Sequence, residues 1–78
     1  MFNHRLRSSR LKNKYTQQNM ADLLDISLNA YQKDEQAERT PSFDTLVKIA
    51  DILAVPTDYL LGRDAFLESL GVSVDEYQ

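Results

Sequence analysis

The stretch from Thr16 to Ala37, TQQNMADLLDISLNAYQKDEQA, constrains the fold more than any other part of the chain. Thr16 is a good helix N-cap, because its hydroxyl can accept a hydrogen bond from an otherwise unpaired backbone N–H. Ser27 is a second N-cap and predicts a second short helix from Leu28 to Gln36. Two short helices joined by a tight turn predict a helix-turn-helix, whose second helix can lie in the DNA major groove. The first of these helices carries apolar residues at helical rather than strand spacing: Met20, Ala21, Leu23 and Leu24.

The length and composition of the chain exclude several classes of protein. The 78 residues predict one domain with a modest core. The absence of cysteine rules out disulfides and thiolate nucleophiles, and the single histidine, His4, does not predict a metal site. The sequence contains neither a glycine-rich phosphate loop nor a nucleophile–histidine arrangement, so we expect neither an enzyme nor a bound cofactor. Without an apolar run of about 20 residues or a secretory signal, we expect a soluble, intracellular protein that does not enter a membrane.

Charge is distributed unevenly along the chain. The formal net charge is −3, which is unusual for a protein that binds nucleic acid. Residues 1–14, however, contain five Lys and Arg residues and no acid, whereas residues 49–78 contain Arg63 against six acids. A chain with one basic and one acidic end can present its basic face to phosphate and its acidic face to water or to a partner.

Helical patterns also precede and follow the central stretch. The first helix is expected from about Phe2 to Lys14, with Phe2, Leu6 and Leu11 in its apolar stripe. Arg10 falls near the inward face of this helix and needs a partner, for which Glu35 is the candidate, because an unpaired buried charge is costly. A fourth helix is expected after the N-cap Ser42. Its apolar stripe has the strongest helical periodicity in the chain and is expected at the centre of the core: Phe43, Leu46, Val47, Ile49, Ala50 and Leu53.

The remaining residues predict a fifth short helix over 57–61 and a C-terminal extension. Gly62 is a natural helix stop, and the segment FLESL indicates a further short helix in the extension. The fold class is therefore all-α. We predict a DNA-binding domain over residues 1–62, with the helix-turn-helix over 16–37 and its recognition helix at about 27–36, followed by an extension over 63–78.

Residues 5–62 resemble the helix-turn-helix domain of phage repressors, Cro proteins and small bacterial regulators of the xenobiotic-response-element type. The resemblance is carried by RLRSSRLKNKYTQQNMADLL, ISLNAYQK and ERTPSFDTLVKIADILAVPTDYLLG, in the order and spacing of that family. It implies a compact five-helix, lambda-repressor-like domain to which this chain adds one short helix. It also implies a cytoplasmic, nucleoid-associated transcriptional regulator that binds double-stranded DNA as a homodimer at a two-fold symmetric operator, and we expect a repressor.

The resemblance assigns roles to residues of this chain. Asn and Gln can bond bidentately to adenine, Lys can bond to guanine, and Leu28 can touch a thymine methyl group. Arg10 and Glu35 match a structural ion pair that is frequent in the family, and Arg10 is also a candidate phosphate contact. The implied base-reading residues are Ser27, Leu28, Asn29, Gln32 and Lys33, and the other implied phosphate contacts are Gln17, Arg39 and Thr40.

Three positions depart from the family pattern. Asp25 stands in the motif turn where many relatives have Gly, but Asp tolerates the left-handed conformation better than most residues. Ala37 replaces a frequent Gly and costs on the order of 1 kcal/mol if its backbone is left-handed. Asp34 replaces an aromatic or apolar residue; it either weakens DNA binding or pairs with a basic side chain such as Lys33 or Arg39.

An apolar remainder near the C-terminus predicts an interface. The extension either folds back on its own core or thickens a homodimer interface. A competing interpretation is a protein-interaction module, such as an antitoxin, that binds a protein partner through the acidic C-terminal half. The predicted dimer residues are Val55, Tyr59, Leu60, Leu61, Phe66, Leu67 and Leu70.

Overall fold

Six α-helices and one 3₁₀ helix make up the regular structure of residues 2–78, the range that the computed structural model describes. The predicted all-α fold class is thereby confirmed. Met1, with which the predicted domain begins, lies outside the described residues. The α-helices are α1 (Phe2–Lys12), α2 (Gln17–Leu24), α3 (Leu28–Glu35), α4 (Phe43–Leu53), α5 (Thr57–Leu60) and α6 (Asp64–Ser69), and the 3₁₀ helix is Val74–Tyr77.

Side-chain caps define the beginnings of the two motif helices. The Thr16 hydroxyl accepts a hydrogen bond from the backbone N–H of Asn19, and the Asn19 side chain accepts one from the backbone N–H of Thr16. This reciprocal capping box satisfies two donors that a helix start otherwise leaves unpaired. Ser27 caps α3 in the same way through the N–H of Ala30. The caps therefore place both helices where the sequence predicts them.

The turn between α2 and α3 requires a left-handed residue, and Asp25 supplies it. Asp25 has φ 56° and ψ 45°, and its N–H is bonded to carbonyl oxygens of the last turn of α2. Ala54, after α4, has φ 56° and ψ 43°, and Ala37, after α3, has φ 61°. Neither alanine has the side-chain polarity that eases this conformation for Asp, so both positions hold local backbone strain.

The core is formed where α1, α2, α3, α4 and α5 meet. Tyr31 from the motif and Ile49 from α4 are completely buried within it. Ser9 and Arg10 also lie on the buried side of α1, as their predicted inward position requires. The buried hydrophobic residues are Leu6, Met20, Ala21, Leu24, Tyr31, Ile49, Ala50, Leu53, Tyr59, Leu60 and Leu67.

Three residues assigned to apolar stripes lie at the surface instead. Leu11 is 55% exposed, Phe43 is 79% exposed and Val47 is 39% exposed. The predicted stripe of α4 was too wide, because a core this small covers only one side of the helix. Leu11 follows Leu6 by five residues, about 140° around the helix, and so points away from the face that buries Leu6, Ser9 and Arg10. Phe43 and Val47 therefore form an exposed apolar face on α4.

The C-terminal extension packs on its own chain. Leu67 of α6 is buried in the core, and the ring of Tyr77 lies 5.2 Å from that of Tyr59. The ammonium group of Lys12 lies 3.3 Å from the carbonyl oxygen of Gln78. The extension therefore folds back on its own core, which is the first of the two alternatives that the sequence left open.

An ion pair joins α1 to the start of α6. The Arg5 guanidinium donates hydrogen bonds of 2.6 and 2.8 Å to the two carboxylate oxygens of Asp64, and a third of 2.7 Å to the carbonyl oxygen of Tyr59. It also stacks 4.4 Å from the centre of the Tyr59 ring. The hydrogen bonds from Arg5 hold the pKa of Asp64 below its usual range. Arg5 is therefore a structural residue that the sequence pattern did not identify.

Candidate nucleic-acid interface

The exposed face of α3 carries polar side chains that can form directed hydrogen bonds. Ser27 and Asn29 are exposed at the start of the helix, and Lys33 is exposed one turn further on. Helical geometry places residues three and four apart on one face, so Asn29 and Lys33 point to the same side of α3. A helix with such a face can present an amide and an ammonium group to base edges.

Leu28, the predicted contact for a thymine methyl group, is not fully exposed. Its side chain is half-buried and packs against the edge of the core. It also lines an open groove together with Leu11, Tyr15 and Gln17. Only part of the Leu28 side chain is therefore available to a thymine methyl group.

A chain of side-chain hydrogen bonds connects the start of α2 with α3. The Gln32 amide donates to the amide oxygen of Gln17 at 3.2 Å, and the Gln17 amide donates to a carboxylate oxygen of Glu35 at 3.4 Å. Two candidate contact residues are thus held relative to each other before any ligand binds. Such pre-organisation lowers the entropy that binding has to remove.

Glu35 fixes one end of this series of hydrogen bonds, because it pairs with Arg10. The Arg10 guanidinium donates through Nε and Nη2 to the two Glu35 oxygens, each at 2.9 Å, and through Nη1 to the carbonyl oxygen of Tyr15 at 3.0 Å. Burial alone raises the pKa of Glu35, but the hydrogen bonds and positive charge of Arg10 outweigh burial and leave that pKa below its usual value. Burial, with Glu35 beside it, raises the pKa of the Tyr31 hydroxyl.

The geometry of Arg10 supports its predicted ion pair and bears on its predicted phosphate contact. The structure brings Arg10 and Glu35 together as an ion pair, with only 9% and 4% of their side chains exposed. All three nitrogens of the guanidinium group are bonded within the chain. Its burial, rather than a lack of donors, argues against a phosphate contact by Arg10, because moving the guanidinium out to a phosphate would leave a buried carboxylate unpaired.

The loop after α3 carries the remaining phosphate candidates. Thr40 is exposed, and Arg39 is 43% exposed at the side chain. Arg39 pairs with Asp34, whose side chain is completely buried. Of the two basic partners that the sequence left open for Asp34, the structure therefore shows Arg39 and not Lys33.

Fewer of the N-terminal bases are available to a ligand than their number implies. Arg5 and Arg10 are bonded to acids within the chain, and Lys12 lies against the C-terminal carbonyl groups. Arg7 and Lys14 remain exposed. Three of the five bases thus make contacts within the chain, and two remain to attract phosphate.

The residues predicted to form a dimer fall into two groups. Tyr59, Leu60 and Leu67 are at most 4% exposed and belong to the core of the chain, so they cannot contact a second copy, and their assignment is corrected. Leu61, Phe66 and Leu70 are between 41% and 62% exposed, and Val55 is half-buried. Sequence reasoning could not separate the groups, because both have apolar side chains in one short segment.

Within residues 2–78, no helix combines the length and the hydropathy needed to cross a membrane. The same residues contain no group of three or more His, Cys, Asp or Glu side chains placed to hold a metal ion.

A protein-family profile matches most of the chain. The sequence profile described as "Helix-turn-helix" matches residues 6–60, which include all of α2, α3 and α4. The chain belongs to this helix-turn-helix family.

Several curated proteins are similar to the chain. An uncharacterized HTH-type transcriptional regulator of Bacillus subtilis (strain 168), YqaE, is 48% identical over 61 residues, which are 78% of this chain and 53% of that protein. The HTH-type transcriptional regulator ImmR of the same organism is 43% identical over 60 residues, 77% of this chain and 47% of ImmR. The cryptic phage CTXphi transcriptional repressor RstR of Vibrio cholerae serotype O1 is 46% identical over 59 residues, 76% of this chain and 53% of RstR.

The chain spans about half the length of these relatives. What the matched region shares with them is the helix-turn-helix domain. No solved structure matches the chain.

Proposed function

We propose that the protein is a sequence-specific DNA-binding transcriptional regulator that reads the major groove through α3. The observation that carries this proposal is the exposed polar face of a capped helix, on which Asn29 and Lys33 lie one turn apart. A helix in the major groove reads sequence with side chains of these types near its start. Ser27 and Gln32 complete the base-reading set, with Leu28 contributing the exposed part of its side chain.

Phosphate contacts fix the register of the domain on DNA. Gln17 is the first residue of α2, where the unpaired backbone N–H groups and the positive end of the helix dipole favour an anion. Arg39 and Thr40 lie in the loop after α3 and form the second contact region. The hydrogen bond between Gln32 and Gln17 couples base reading to this backbone contact.

Repression is the proposed outcome of DNA binding. RstR, which is 46% identical over the matched region, is named a transcriptional repressor, and the other relatives are named regulators. A protein that covers an operator can exclude other proteins from it without any further activity. The proposed site of action is the bacterial nucleoid.

A homodimer is the proposed binding unit. An exposed apolar surface suited to a second copy surrounds a groove of about 350 Å³, which is lined in part by Phe2, Pro41, Leu46 and Leu61. Phe43 and Val47, exposed on α4 beside Leu46, extend this surface, and Phe66 and Leu70 are exposed on or beside α6. A two-fold dimer would set two copies of α3 about 34 Å apart, which is one turn of DNA.

The proposal is tested by selection from a pool of randomised duplex DNA at two salt concentrations. Enrichment of a palindromic motif, bound more weakly at the higher salt concentration, supports a dimeric DNA reader. Sequence-blind binding alone would overturn the proposal. The protein-partner alternative would then be tested by a pull-down with the full chain and with a chain that lacks residues 63–78.

A further inference from the structure

A buried carboxylate at the end of α3 holds the arginine of the following loop. Arg39 donates to Asp34 through Nε at 2.7 Å and through Nη2 at 2.9 Å, so that both carboxylate oxygens are bonded. The Asp34 side chain is 0% exposed, whereas 43% of the Arg39 side chain is exposed. One partner thus belongs to the interior and the other faces solvent.

The backbone at the end of α3 explains how the two side chains meet. Ala37 adopts φ 61°, which turns the chain back on the helix. The N–H groups of Glu38 and Arg39 then bond to the carbonyl oxygen of Lys33 at 2.8 and 3.3 Å. This turn lays Arg39 over the last turn of α3, within reach of Asp34.

Arg39 cannot leave Asp34 to bind something else at low cost. Withdrawing it would leave a completely buried carboxylate without its charged partner, and breaking one side of a buried ion pair is strongly unfavourable. A single phosphate contact does not compensate for that loss. Any ligand of Arg39 must therefore bind while the ion pair stays intact.

The paired guanidinium still has donors for a second anion. A guanidinium group carries five N–H donors in a fixed plane. Asp34 accepts from Nε and from one Nη2 hydrogen. Three hydrogens remain, and two of them, one on Nη1 and the second on Nη2, lie together on the edge directed away from the Asp34 carboxylate. This edge has the spacing that binds a phosphate group through two oxygens.

We propose that Asp34 is a positioning residue that fixes Arg39 for contact with a DNA phosphate beside the C-terminal end of α3. This inference rests on the proposed function and deepens it. The ion pair lets Arg39 bind phosphate in one preset orientation, so that little side-chain entropy is lost on binding. An acid at this position thereby supports DNA binding, although its charge is of the same sign as the ligand.

Whether Asp34→Asn strengthens or weakens DNA binding distinguishes a positioning role from a purely electrostatic one. The Asp34→Asn change removes a negative charge near DNA, so electrostatics alone predicts tighter binding. Positioning predicts weaker binding, because the amide accepts from Arg39 through one oxygen only and no longer fixes the guanidinium plane. We expect affinity to fall by about tenfold, both for the selected operator and for a random duplex of equal length.

Asp58→Asn is the matched control. Asp58 pairs with Arg63 at the same separation of five residues, at 3.1 Å, and neither residue belongs to the candidate interface. The control changes the net charge by the same amount, and its affinity is expected to stay within about twofold of the unchanged protein. Equal effects of the two substitutions, or tighter binding by Asp34→Asn, would overturn the inference.

A second comparison tests whether Asp34 acts through Arg39. In an Arg39→Gln background, the Asp34→Asn change is expected to cause no further loss of affinity. An equal loss in both backgrounds would show that Asp34 supports the fold independently of Arg39. Circular dichroism verifies that each variant is folded.

If Asp34→Asn does not fold, Arg39→Lys tests instead whether the orientation of the guanidinium group matters for DNA binding. It keeps the charge and loses the planar fork, so positioning predicts the same loss of about tenfold, and unchanged affinity would contradict it. Failure of the unchanged protein to bind any duplex would instead count against the proposed function.

Discussion

Arg10 on α1 and Glu35 at the end of α3 are joined by two parallel hydrogen bonds, each of 2.9 Å, in the interior of the domain. The pair attaches the last turn of the candidate recognition helix to the first helix. Because Glu35 also accepts from Gln17, and Gln17 from Gln32, the same carboxylate positions both ends of the candidate interface. The stability of the domain and the geometry of its proposed DNA contacts thus depend on one buried group.

Removing the carboxylate of Glu35 is expected to destabilise the fold. Glu35→Ala leaves the Arg10 guanidinium buried without its charged partner, which should lower the free energy of unfolding by about 3 kcal/mol. Denaturant unfolding followed by circular dichroism measures this change. Glu38→Ala, at an exposed position three residues later, is the control and is expected to change the free energy of unfolding by less than about 0.5 kcal/mol. Equal stability of the two variants would contradict the structural role of the pair.

The same pair predicts how stability depends on pH. The folded pKa of Glu35 is below its usual value, so the stabilisation is fully present above the unfolded pKa of about 4.3 and is lost as the pH falls through the folded pKa. We expect the difference in unfolding free energy between the unchanged protein and Glu35→Gln to shrink below pH of about 4.3. Glu38→Gln should show no such trend. A difference that stays constant down to the acid transition would speak against the lowered pKa.

The sequence predicted this pair from helical periodicity and from the family resemblance. The inward position of Arg10 follows from helical periodicity, and a buried charge requires a partner, for which the resemblance supports Glu35. The caps Thr16 and Ser27 likewise depend only on residues three positions away. Such features are local, or are demanded by a strong energetic rule, and can be derived before the structure is known.

Other features depend on how the helices pack as a whole and could not be derived in this way. The Arg5–Asp64 pair joins residues 59 positions apart, and no periodicity indicates it. The exposure of Phe43 and the burial of Leu60 depend on which side of each helix the others cover. For Asp34, the sequence left Lys33 and Arg39 as alternative partners, since only the left-handed turn after α3 decides which side chain reaches it.

Left-handed strain at Ala37 predicts a stabilising substitution. Ala37 has φ 61°, and glycine adopts this conformation without the steric penalty of a Cβ atom. Ala37→Gly is expected to raise the free energy of unfolding by about 1 kcal/mol. In the control Ala65→Gly, inside α6, glycine should have the opposite effect and lower the stability by roughly 0.5–1 kcal/mol. A loss of stability at both positions would show that Ala37 is not strained.

The proposed dimer surface predicts a change of oligomeric state. Leu61 is 50% exposed beside the apolar groove, and a charge there would have to be desolvated on association. Light scattering at tens of micromolar is expected to give a dimer for the unchanged protein and a monomer for Leu61→Glu. Leu23→Glu is the control, because Leu23 is 53% exposed on α2 and lies outside the groove. A monomeric unchanged protein would contradict the proposed homodimer.

Asn29→Ala tests whether α3 reads bases. The unchanged protein and the variant are each used for selection from randomised duplex DNA, with Gln17→Ala as the comparison. We expect Asn29→Ala to lose the preference at one base position of each half-site, at a cost of about 1–3 kcal/mol for the preferred base. Gln17→Ala should bind all sequences more weakly and keep the preference at the Asn29 position, because Gln17 is bonded to Gln32 and not to Asn29. An identical motif from the unchanged protein and from Asn29→Ala would contradict base reading by this face of α3.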